Sequence, residues 1–68
     1  MISKQALNNI QAAIDRLDAW AEGEKIAQMS AEQRQDRVSA ETHYNQGRNY
    51  EGLVNTLKDA IGDLEATE

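Results

Sequence analysis

The stretch from Tyr50 to Leu64, YEGLVNTLKDAIGDL, carries apolar residues at Tyr50, Leu53, Val54, Leu57, Ala60, Ile61 and Leu64. Gaps of three and one are the signature of one face of an α-helix, and nothing in the stretch alternates as a strand would. Asn55, Asp59 and Asp63 fall on the far side. A second stripe of matching length lies near the start of the chain, at Ala6, Leu7, Ile10, Ala13, Ile14, Leu17, Trp20 and Ala21. Lys4, Asn8, Gln11, Asp15 and Asp18 lie opposite or beside it. Two amphipathic helices of equal length can cover each other, which predicts an all-α antiparallel helical hairpin. Its expected core is Leu7, Ile10, Ile14 and Leu17 against Leu53, Val54, Leu57, Ile61 and Leu64. That pairing also brings Trp20 near Tyr50.

The ends of these helices are less sharply marked. Ser3 can cap the first helix, with Ile2 as a staple residue before it. Beyond Ala21 the stripe loses phase, because Glu24 falls in its centre and Ile26 points outward. The helix therefore either stops at Gly23 or runs on to about residue 28; the helix-forming segment EKIAQM favours continuation. Ser30, followed by Glu32 and Gln33, reads as a capping box, which places the turn at residues 29–30. From Glu32 to Asn49 only Val38, Ala40 and Tyr44 are apolar. Gln35, Ser39, Thr42, His43 and Gln46 would otherwise continue the C-terminal stripe, a poor core. This segment is expected as a helix over about 31–46. It either breaks at Gly47-Arg48-Asn49 before a last helix over 49–66 or continues into it. Gly52 and Gly62 lie inside that last helix, tolerated or marking close approach of another backbone, and the final residues should fray.

Composition agrees with one small helical domain spanning 1–68: no proline or cysteine, and few aromatic residues. A chain this short has a marginal core of its own, and without disulfides it gains most by oligomerising, so a homodimer forming a small bundle is expected. The net charge of −5 is uneven, with four bases and five acids in residues 1–34 and three bases and seven acids in residues 35–68. A basic face for nucleic acid or for an anionic membrane is missing, so direct binding to either is not expected. No apolar run is long enough to span a bilayer, and MISKQALNNI lacks a signal-peptide core, so the expected compartment is the cytoplasm.

Chemistry leaves few marks. His43, the single histidine, lies two residues after Glu41. General base work would need a pocket and a nucleophile beside it. The pairs Asp15 and Asp18, Glu32 and Asp36, and Asp59 and Asp63 have helical spacing but lack the E-x-x-H element of carboxylate-bundle metal sites, so no metal or other cofactor is expected. GRNYEG lacks the Lys-Ser or Lys-Thr of a phosphate loop. No catalytic residue is assigned.

Two features stand out instead. Like-charged acids recur four residues apart, as in Asp18 with Glu22 and Asp59 with Asp63, a row that could steer toward a basic surface. Trp20, Tyr44 and Tyr50 are of the type enriched at interface hot spots. The expected function is protein–protein interaction, with Trp20, Ile26, Met29, Tyr44, Tyr50, Asp59 and Asp63 as candidate contacts to a protein that the chain binds and modulates. Such small chains are common among phage and mobile-element accessory proteins. A DNA mimic occupying a nucleic-acid-binding protein and a purely structural oligomerisation unit are the alternatives.

Overall fold

A computed structural model gives the fold, and it describes residues 3–66. Two α-helices, α1 (Lys4–Gln33) and α2 (Arg37–Ala66), each of 30 residues, pack against each other as an antiparallel hairpin. The molecule is a rod of 51 × 17 × 10 Å. Ser3 caps α1, its hydroxyl accepting from the Ala6 amide at 3.0 Å. Ile2, the expected staple residue, and the last two residues lie outside the described residues.

α1 runs further than the sequence signals suggest, and α2 takes the continuous form of the two left open. α1 passes through Gly23 and through Ser30 without a break. Ser30 does not cap a helix; its hydroxyl accepts from Arg34 Nη1 at 3.0 Å within α1. The turn therefore lies at residues 34–36 rather than 29–30. The reason is packing: Ala31 is completely buried in the seam, which requires α1 to reach it. α2 is likewise continuous through Gly47-Arg48-Asn49, so the sequence's polar middle belongs to a single long helix.

The turn closes with a Schellman arrangement. Asp36 N–H donates to Ala31 O at 2.8 Å and Gln35 N–H to Glu32 O at 3.0 Å. Gln35 takes the left-handed conformation this motif requires, with φ of 60°. Asp36 then caps α2, its carboxylate accepting from the Ser39 amide at 3.1 Å.

The buried and half-buried positions reveal the seam. On α1 they include Leu7, Ile10, Ile14, Leu17, Ala21, Glu24, Gln28 and Ala31; on α2, Ala40, His43, Gly47, Tyr50, Val54, Leu57 and Ile61. Gaps alternate between three and four, the repeat of a two-stranded coiled-coil seam. Glu24 faces His43, and Gly47 lies against Ala21 and Glu24. The same register brings Leu17 level with Tyr50, Ile14 with Val54, Ile10 with Leu57 and Leu7 with Ile61. Leu53 and Leu64, expected in the core, are 46% and 44% exposed. Leu53 sits beside the seam rather than in it, and Leu64 lies at the open end of the hairpin. A Cβ at Gly23, Gly52 or Gly62 would meet nothing within 4 Å among the described residues, so none of their backbone approaches closely there.

Two predictions follow from the turn. Gln35→Gly should raise stability by about 1 kcal/mol in urea unfolding, because glycine takes the left-handed conformation without the Cβ penalty. The Ser39 amide, then the Ser39 hydroxyl and the Arg34 and His43 charges, hold the Asp36 carboxyl below its ordinary value of 3.8. A depressed carboxyl adds stability above its unfolded-state value, and that contribution is lost as pH falls through the folded value. The melting-temperature difference between wild type and Asp36→Asn should therefore be largest above about pH 4 and shrink in more acid solution.

Candidate functional site

The most chemically distinctive region is a polar layer built into the half of the seam nearer the turn. Glu24 and His43 both hold seam positions, where the rest of the register would place apolar side chains. His43 Nδ1 lies 2.6 Å from Glu24 Oε2, and both side chains are largely shielded. A carboxylate only accepts, so the ring nitrogen donates. Gln46, with its amide nitrogen towards α1, donates to Glu24 Oε1 at 2.8 Å and to Oε2 at 3.2 Å. One carboxylate is thus gripped by two donors from successive turns of α2. Gly47 lies beside the layer, where a Cβ would stand 3.5 Å from the Glu24 Cβ, an ordinary van der Waals contact.

Flanking this layer, the two edges of the hairpin differ in chemistry. One edge carries Ala6, Ala13, Trp20 and Ala27 on α1, seven residues apart, and Ser39, Gln46, Leu53 and Ala60 on α2. None is charged. Trp20 leans over Tyr50 there, with ring centroids 5.8 Å apart and planes tilted by 53°. This is the aromatic contact expected from the antiparallel pairing, yet Trp20 remains 54% exposed. The other edge is charged. Lys25 Nζ lies 3.2 Å from Glu51 Oε1, an exposed pair worth little to stability. The Arg48 guanidinium stands 5.8 Å from the centre of the Tyr44 ring and donates to its hydroxyl at 3.4 Å. Between them runs a shallow groove of about 440 Å³, lined by Lys25, Gln28, His43, Tyr44, Gly47, Arg48 and Glu51.

Of the candidate contact residues, Trp20 and Tyr50 touch one another. Tyr44 lies on the opposite edge. Ile26 and Met29, both more than half exposed, point away from α2, and Asp59 and Asp63 are exposed towards the far end of α2. Val38, 78% exposed, joins the outward apolar residues without having been singled out. The Glu24–His43–Gln46 layer is not visible as a unit in the sequence. Its signal was Glu24 standing seven residues after Leu17 and seven before Ala31, with His43 seven before Tyr50. Among the described residues no group of three or more His, Cys, Asp or Glu side chains could hold a metal, and no helix is long and apolar enough to cross a membrane. No family model, curated protein or solved structure matches this chain.

The layer's effect is on register. An apolar seam tolerates sliding, whereas a carboxylate that must meet its donors does not. Replacing either Glu24 or His43 by Ala should destabilise the hairpin, and the double-mutant cycle should return a coupling of about 0.5–3 kcal/mol in urea unfolding. Changing both to Leu should leave stability equal or higher, since paired apolar residues escape the desolvation cost.

Proposed function

We propose that this protein is a non-catalytic protein–protein interaction module, a small acidic hairpin that binds a partner protein and modulates it. The observation that carries the reading is the exposure of its amphipathic aromatics on a nearly coreless rod. Trp20 is 54% and Tyr44 46% exposed, while the buried apolar core is Ile14, Ala21, Ala31 and Val54. Side chains of this type contribute most of the energy where they become buried at an interface. They occupy opposite edges of a stiff scaffold, so two surfaces can be engaged independently. The net charge of −5 favours a basic protein surface and speeds encounter with it.

The test is capture by a tagged copy, followed by titration of the captured protein with Trp20→Ala and Tyr44→Ala. At least one substitution should weaken binding tenfold or more while the helical circular dichroism stays unchanged. Binding that neither substitution alters would refute the reading.

A further inference from the structure

We propose that the uncharged edge bearing Trp20 and Leu53 seats a second copy of this chain, two hairpins closing into a four-helix bundle about a two-fold axis. This rests on reading the protein as an interaction module and names the occupant of one of its two edges.

The surface area argues for a copy of the same size. A compact protein of 7.6 kDa is expected to expose about 4300 Å². The hairpin exposes 5229 Å², an excess of roughly 900 Å². A standard interface hides about 800 Å² on each partner. One further hairpin laid along one edge therefore removes the excess. The shape agrees: the radius of gyration is 15.6 Å, against about 11 Å for a compact chain of this length. Lateral association thickens the rod without lengthening it.

Charge selects which edge. A chain carrying −5 repels its own copy, so self-association needs a face free of the charge. The Trp20 edge has no charged side chain beside the seam, whereas the opposite edge holds Lys25, Glu51 and Arg48. The shape of this edge also suits a helix. Ala13 and Ala60 are exposed and small, letting helices approach, while Trp20 and Leu53 supply the large apolar area. A two-fold axis makes the face meet itself, so one apolar patch serves both partners.

The deciding experiment is sedimentation equilibrium on the full chain over a wide concentration range, with Trp20 fluorescence followed in parallel. The expected result is a mass twice 7.6 kDa and a Trp20 emission that shifts to the blue as dimer forms. Leu53→Glu should raise the dimer dissociation constant about a hundredfold or more with helicity retained, whereas Tyr44→Glu, on the charged edge, should leave it within about twofold. Should Leu53→Glu lose helicity, Ala13→Gln takes its place, because that site is exposed and the new side chain favours helix. A wild-type monomer at all concentrations, an open series of larger oligomers, or a dimer that neither Leu53→Glu nor Ala13→Gln weakens would overturn the proposal. A monomer that still binds another protein through Trp20 overturns the self-association while the interaction-module reading stands; a monomer whose binding survives both aromatic substitutions removes both.

Discussion

Two helices lying side by side share one seam, and everything in this molecule follows from how that seam is filled. Each helix has roughly three faces, and a hairpin can bury only one of them. The chain fills its single buried face with small and medium side chains, so the helices approach closely but hide little area. Among the described residues Ile14 is the one large side chain that is essentially fully enclosed. The large apolar side chains of the seam lie in the half away from the turn. The half near the turn is held by small residues, by a capped turn and by a carboxylate with two donors.

That polar layer and the apolar layers have different jobs. Apolar contact is strong but indifferent to small displacements, because one methyl group serves much like another. The Glu24–His43–Gln46 cluster is costly to desolvate and demanding in geometry. Energy and specificity are therefore divided along the length of the rod. The hairpin's edges differ: the ion pair of Lys25 with Glu51 is solvent-exposed, and the Trp20 edge is apolar without being enclosed.

The hairpin itself was legible because two stripes of equal length leave few other ways to hide their apolar residues. The turn was not. A capping box at Ser30 is worth about 1 kcal/mol, and packing Ala31 into the seam together with the Schellman closure outweighs it. Leu53 was misplaced for a geometric reason. A straight helix drifts about 20° per seven residues from a 3.5-residue seam, so a stripe read at 3.6 residues per turn takes in a side chain that the seam leaves at its edge. Glu24 and His43 looked like defects in their stripes when each helix was read alone. Their complementarity exists only across the pairing, between residues 19 apart in sequence, and no local period encodes it.

The position of the polar layer also bears on the order of events as the chain folds. In a hairpin, contacts near the turn close short loops and those near the open end close long ones, and loop entropy favours the short ones first. Glu24 and His43 stand closer to the turn than the large apolar pairs do. Loop entropy therefore favours their meeting before the zipping of Leu17, Ile14, Ile10 and Leu7 onto α2. A mis-registered start, with the carboxylate facing no donor, fails while it is still cheap to reopen. Placed there, the layer is suited to sort alignments before the apolar half of the seam commits the chain to one of them.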